Sequence, residues 1–384
     1  MAKPDRDSSV VYLDNAATTP LRAEALEAML PFLTDRFGNP SGGHRVARAA
    51  RLAVDEARDD VADVLGCGAG EVVFTSGGTE ADNLAILGAV AARGGTAVCP
   101  AAEHHAVLHA VEVVGGRVVG SGADGAVDLA QLAAALDELG GEVTVVSAMT
   151  ANNEVGTITP LEKVAAVMTE RAPGAVLHTD AVQAAGWCDL RELAAPAALV
   201  SVAAHKLGGP KGAGGLVVRA GTALRPLLHG GGQERDLRSG THNVAGIVGF
   251  ATALRLAAEE RDEVAVRARS LRARMLDRLM HQVGGVVASV PLEQALPGHL
   301  HVRIEGCEGE AMLVLLDDAA VCASAGSACA SGAVEPSHVL AAMGVGKAEA
   351  LTSLRFSIGR TTTEAEIDTA VTAVASAAVR LRAG

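Results

Sequence analysis

From about residue 45 to residue 220, short β-branched apolar runs alternate with helical stretches, and this alternation is what most constrains the fold. A helical stretch from Arg45 to Leu65 precedes a strand-like run, Glu71 to Thr75. Ser76-Gly77-Gly78-Thr79 reads as a turn, and Glu80 to Ala92 as a helix. Further strands are predicted at Thr96–Cys99, Arg117–Gly120, Val143–Ala148, Ala175–Thr179, Leu199–Ala203 and Leu216–Arg219. Strands this short and apolar, set between helices, are covered on both faces. They predict an α/β architecture with a buried, largely parallel sheet.

After Gly246 a long charged helix is predicted, from Phe250 to about His281, leading into a second domain. Strands are predicted there at His301–Ile304, Ala320–Ala323 and Leu354–Ser357. Thr361-Thr-Thr-Glu364 reads as a capping box that opens a final helix to about Arg382. The expected division is a large domain, 15–255, and a small α/β domain made of 1–14 and 256–384.

Aromatic residues make up only 2% of the 384, so the core must be built from Ala, Val and Leu. A net charge of −13 argues against direct nucleic-acid binding, which needs a basic face. No run of eighteen apolar residues marks a membrane span, and the first residues lack the apolar core of a signal peptide. The six cysteines (Cys67, Cys99, Cys188, Cys307, Cys322 and Cys329) include no CxxC pair. Reduced thiols and a cytoplasmic location are expected.

Several strand ends carry chemistry. Ser76 to Thr79 lies between a strand and a helix, where backbone N–H groups bind phosphate, although an ordinary capped turn has the same pattern. Asp180 ends a strand and faces the usual ligand crevice. Its carboxylate can pair with a protonated pyridine nitrogen or cap a helix. Lys206 follows the next strand, where partial desolvation makes an amine nucleophilic and able to form a Schiff base. Lys211 competes but sits inside the turn. One imidazole of Glu103-His104-His105 can stack on a ring and move protons. Cys329 stands among residues of small volume, Ser327, Ala328, Ala330, Ser331 and Gly332, as a thiol on a mobile loop would. Gly212 to Gly215 precedes a strand, so it is no dinucleotide loop, and Gly344-Val-Gly-Lys347 lacks the hydroxyl residue of a P-loop. His178, His205, His229 and His242 form no metal set, and no resident metal is expected.

Ten motifs occur in order: Leu13 to Pro20, Gly38 to Ser41, Phe74 to Glu80, Ala151 to Gly156, His178 to Gln183, His205-Lys206, Gly230 to Arg235, Arg238 to Thr241, Ser327 to Cys329 and Arg355 to Arg360. Together they resemble the cysteine desulfurases of the class V aminotransferase-like group, in the iron–sulfur-cluster and nitrogen-fixation branch. The resemblance runs from about Tyr12 to Arg382. It implies the pyridoxal-phosphate fold type I, with a mainly parallel seven-stranded sheet.

The resemblance also implies roles. Lys206 would hold pyridoxal 5'-phosphate, and His104 would stack on its ring and help move protons. Asp180 would pair with the ring nitrogen, with Gln183 and Asn153 on the phenolic oxygen side. Gly78, Thr79 and His205 would hold the phosphate, and Thr241 would reach the phosphate in the partner subunit of a homodimer. Asn153 and Arg355 would bind the substrate, L-cysteine, with Arg355 on its carboxylate. Cys329 would take the sulfur as a persulfide, leaving alanine, and pass it to an acceptor protein such as an iron–sulfur scaffold. Cys329 is also a candidate transient cluster ligand.

One position departs from the pattern. The family places a serine two residues before His-Lys, with its hydroxyl on the phosphate; here the residue is Ala203. A hydrogen bond to a charged group is worth roughly 1.5–3 kcal/mol, so weaker phosphate binding is expected. Ser201 lies about 6–7 Å back along the strand and cannot replace it. A selenocysteine lyase or an aminotransferase on the same fold is the alternative, although a transaminase has no need of a loop cysteine. A non-catalytic sulfur-carrying scaffold would not need Lys206, Asp180, His104, Arg355 and Cys329 together.

Overall fold

The computed structural model describes residues 10–325 and 336–383. The first part runs β1 (Val11–Tyr12), α1 (Ala23–Leu33), α2 (Arg45–Leu65), β2 (Val72–Thr75), α3 (Gly78–Arg93), β3 (Thr96–Pro100) and α4 (His105–Val113). Next come β4 (Arg117–Val119), α5 (Leu129–Leu139), β5 (Val143–Ser147), α6 (Leu161–Arg171), β6 (Val176–Asp180), α7 (Leu190–Leu193), β7 (Leu199–Ala203) and β8 (Gly214–Val218). A helix of 39 residues, α8 (Val244–Gln282), follows. The remainder is β9 (Val286–Ala288), β10 (His299–Ile304), α9 (Gly309–Asp318), β11 (Val321–Cys322), α10 (His338–Ala342), α11 (Lys347–Ala350), β12 (Ser353–Ser357) and α12 (Glu364–Arg382).

Seven strands form the main sheet in the order β2-β8-β7-β6-β5-β3-β4. The pairs β7–β6, β6–β5, β5–β3 and β3–β4 are parallel, whereas β8 runs antiparallel to both β2 and β7. The expected mainly parallel α/β sheet is therefore present. One face packs α2, α5, α6 and α8 through side chains such as Val72, Val146, Leu177 and Val200. The other face packs α3 and α4 through Val73, Val145, Leu199 and Leu216. Alternate strand residues thus enter different cores, as the two-residue side-chain period requires.

A second core gathers Val11 and Leu13, the end of α8, β10, α9, β12 and α12 around Phe356 and Met275. Its sheet is antiparallel, in the order β12-β10-β9. Helix α8 serves both cores, with Val244 to Ala257 in the first and Ala268 to Leu279 in the second. It starts six residues before the expected Phe250, because the Asn243 side chain caps it by accepting from Gly246 N at 3.0 Å.

The capping box that opens α12 lies two residues beyond the expected one. Thr363 and Glu366 form it, with Thr363 N donating to Glu366 Oε2 at 2.7 Å. Thr361 and Glu364 do not. The hydroxyl of Thr362 instead accepts from Gly359 N at 2.9 Å, holding that part of the chain in a turn.

Candidate active site

The parallel strands β5, β6 and β7 end on one rim of the sheet, the usual place for a ligand crevice. Asp180 is the last residue of β6 and is 8% exposed. Its Oδ1 accepts from Val182 N at 2.9 Å, so it braces the turn after the strand. Burial, with the neighbouring Asp82 carboxylate, pushes the Asp180 acid up to about 6. One donor atom from each of Asp82, His104 and Asp180 lies within 4.8 Å of the others.

His104 caps α4, its Nδ1 accepting from Ala106 N at 3.1 Å. That bond leaves the ring proton on Nε2 in the neutral form. Burial lowers the proton affinity of His104; Asp180 opposes the shift and Lys206 adds to it.

Lys206 ends the short turn after β7 and is half-buried. Its Nζ donates to the carbonyl of Ala16, and to that of Ala17 at 2.8 Å. Gln183 Nε2 donates to the same Ala16 carbonyl at 2.8 Å. Burial and the Arg355 charge lower the ammonium to about 8, against the opposing pull of Asp180 and Asp14. An amine in this state is neutral in a useful fraction near pH 7.

Residues 14–22 form a strap that binds this turn. Thr19 N and Oγ1 both donate to the His205 carbonyl, at 3.0 and 2.8 Å. Arg22 Nε donates to Leu207 O at 3.0 Å. His205 Nδ1 lies 3.2 Å from Thr18 Oγ1, and burial drops its proton affinity to about 4. The strap also reaches β12, where Ala16 N donates to Ser357 Oγ at 2.8 Å. On that strand Arg355 donates from Nη2 to Asp14 Oδ1 at 2.7 Å and from Nη1 to Asn153 O at 2.9 Å, while its Nε is buried without a partner. The tertiary structure thus gathers Lys206, Asp180, Gln183, Arg355 and the Asn153 backbone.

A phosphorylated aromatic cofactor suits this crevice on three observations. The α3 N-terminus has no side-chain cap, so its first N–H groups stay available to an anion. Gly77 before it adopts φ +152°, which favours glycine, and an added Cβ there would meet nothing within 4 Å. A Cβ on Gly78 would come within 2.7 Å of Val182 Cγ2, so only glycine allows this approach. Second, the crevice supplies both a buried carboxylate, Asp180, and an amine of lowered proton affinity, Lys206. Third, Glu103 Oε2, on the residue next to His104, is buried without a hydrogen-bond partner. Thr79 is exposed in the first turn of α3, and Thr241 is exposed just before α8.

The same Cβ on Gly78 would lie 3.9 Å from the methyl of Ala203, which sets Ala203 beside the α3 N-terminus. Ser201 is committed elsewhere, its hydroxyl 3.0 Å from His178 Nε2. His178 in turn meets Ser147 Oγ through Nδ1 at 2.8 Å and approaches Asp82 Oδ1 at 3.5 Å. This buried polar strip beneath Asp180 escaped the sequence reading. Its signal was the two-residue strand spacing of His178 and Asp180, with Asp82 one helical turn beyond Gly78.

Cys329 lies outside the described residues. The five described cysteines are free thiols. Burial raises Cys67 and Cys188 to about 11 and also raises Cys99, Cys307 and Cys322. None of these five is a ready thiolate at neutral pH. Among the described residues no helix is long and apolar enough to cross a membrane.

Residues 11–370 match the family Aminotransferase class-V. The chain is similar to an IscS-like cysteine desulfurase of Mycobacterium tuberculosis, 43% identical, with 97% of each chain covered. It is similar in structure to a NifS-like protein, with a TM-score of 0.87 and 36% identity over 96% of this chain and 98% of that one. A structure of SspA in complex with cysteine matches with a TM-score of 0.77 and 31% identity, covering 92% of this chain and 99% of that one. With this crevice at its sheet rim, the chain belongs to the class-V aminotransferase family and, within it, to the cysteine desulfurases.

Proposed function

We propose that this chain, as a homodimer in the cytoplasm, converts L-cysteine to L-alanine using pyridoxal 5'-phosphate. The sulfur is left as a persulfide on Cys329 for an acceptor protein. One observation carries the reading: Lys206 Nζ and Gln183 Nε2 meet on the Ala16 carbonyl at the sheet rim, where β6 ends in the buried Asp180. The SspA structure with cysteine supports L-cysteine as the substrate. Exposed Leu33, Phe37, Leu227 and Leu228 offer apolar surface for pairing two copies, and exposed Thr241 is available to the partner's phosphate.

In this reading Lys206 Nζ would hold the cofactor, and Asp180 would pair with its ring nitrogen. His104 would stack on the ring, Gln183 and Asn153 would address its phenolic oxygen, and Gly78, Thr79 and His205 would hold the phosphate. When bound, pyridoxal phosphate supplies an electron sink for the amino acid's α-carbon. Arg355 fixes the substrate carboxylate, and Asn153 flanks it. Lys206 Nζ, its proton weakly held, would move protons at the substrate carbons, with His104 Nε2 assisting. The Cys329 thiolate attacks the substrate sulfur. The C–S bond breaks as an S–S bond forms, and the carbon product gains a proton and leaves as alanine. The balance is L-cysteine plus Cys329 thiol giving L-alanine plus Cys329 persulfide.

The test is product analysis of the loaded enzyme given L-cysteine without an added 2-oxo acid. Alanine and protein-bound sulfane sulfur should form in equal amounts. Turnover only with a 2-oxo acid would replace this reading with a transaminase, and turnover only of L-selenocysteine with a selenocysteine lyase.

A further inference from the structure

We propose that His105, His109 and His338 form a divalent transition-metal site that bridges α4 and α10. The site uses none of the residues assigned above to cofactor or substrate. His105 and His109 lie four apart on α4, so both rings emerge on one face of the helix. His338 comes from the other end of the chain, as the first residue of α10. The His105 ring centroid is 4.3 Å from that of His338 and 5.3 Å from that of His109. Imidazoles that share one metal at metal–nitrogen distances of about 2.0–2.1 Å hold their centroids roughly 5 Å apart.

His338 is already oriented as a ligand. Its Nε2 donates to the Glu103 carbonyl at 2.8 Å, which leaves the Nδ1 lone pair free. Metal-bound histidines ordinarily donate their second nitrogen to a carbonyl in this way, which fixes the tautomer.

The nitrogens do not yet converge: the donor atoms of the three do not all fall within 4.8 Å of one another. His105 and His109 are exposed, so their rings can turn toward His338. Three imidazoles with open positions for water select Zn²⁺, Co²⁺, Ni²⁺ or Cu²⁺ over Mg²⁺ or Ca²⁺. His338 is more than two hundred residues from His105, so the three histidines carry no local metal-ligand spacing.

The probe is Co²⁺, titrated into the full-length holoenzyme, with Zn²⁺ as competitor. The expected result is one Co²⁺ per chain, displaced by Zn²⁺, with ligand-field bands and no thiolate charge-transfer band. His105→Ala and His109→Ala should each weaken binding at least tenfold, and the cofactor's visible absorption should report an intact fold. His338→Ala should do the same; if it misfolds, the two exposed variants carry the test alone. Unchanged affinity in either α4 variant, a thiolate charge-transfer band, or no binding to the parent enzyme would each overturn the site.

Discussion

Arg355 donates to Asp14 across 2.7 Å, joining β12 to the strap that holds the Lys206 turn. The two residues are 341 positions apart in sequence. The guanidinium also holds the Asn153 carbonyl, so one side chain ties three segments together at the site. An ammonium cannot match this planar fork. Arg355→Lys should therefore raise the KM for L-cysteine at least tenfold, roughly the 1.5–3 kcal/mol of one charge-assisted hydrogen bond. Steady-state kinetics checks it; an unchanged KM would remove Arg355 from carboxylate binding.

The proton on Lys206 gives a pH prediction. The ammonium is lowered to about 8, so in the cofactor-free protein about a tenth of the amine is neutral at pH 7. Cofactor uptake should speed up with pH and level off above about 8. Arg355 lowers this proton affinity and Asp14 raises it. Arg355→Gln should therefore move the midpoint up, and Asp14→Asn should move it down. Stability follows the same sign. Between about pH 8 and 10.5 the unfolded chain holds the Lys206 proton and the folded chain does not, so this group's penalty is full below 8 and fades as pH rises. Stopped-flow absorbance of cofactor binding tests the opposed shifts; shifts of one sign would contradict the geometry.

Lys206 and Cys329 should separate cleanly in variants. Lys206→Ala should lose the visible absorption of covalently held cofactor. Cys329→Ala should keep that absorption yet lose sulfide release from L-cysteine by at least a hundredfold. Full turnover in the Cys329 variant would move the nucleophile elsewhere.

Ala203 offers a gain-of-function test. Its methyl sits beside the α3 N-terminus, and Ser201 is already bonded to His178. Ala203→Ser adds a hydroxyl aimed at the proposed phosphate, worth roughly 1.5–3 kcal/mol, or about tenfold to a hundredfold in cofactor affinity. Equilibrium dialysis of the cofactor measures it. No tightening would mean that water or a backbone N–H already fills that role.

The sequence by itself determined the α/β layers, because short β-branched runs between helices are stable only when buried on both faces. It also marked Asp180 and Lys206, since polar residues at the ends of such strands face the crevice. Register at the ends was beyond it: Thr361 with Glu364 and Thr363 with Glu366 both satisfy the capping pattern, and the Gly359–Thr362 hydrogen bond selects the second. Only the tertiary structure decided the contacts that span the chain. Asp82 beneath Asp180, Asp14 against Arg355 and His338 against His105 have no local signature, because their energies depend on burial and distance rather than on neighbours in sequence. The same packing sets proton affinities, through desolvation and charges that meet only once the strap, the sheet rim and β12 have closed together.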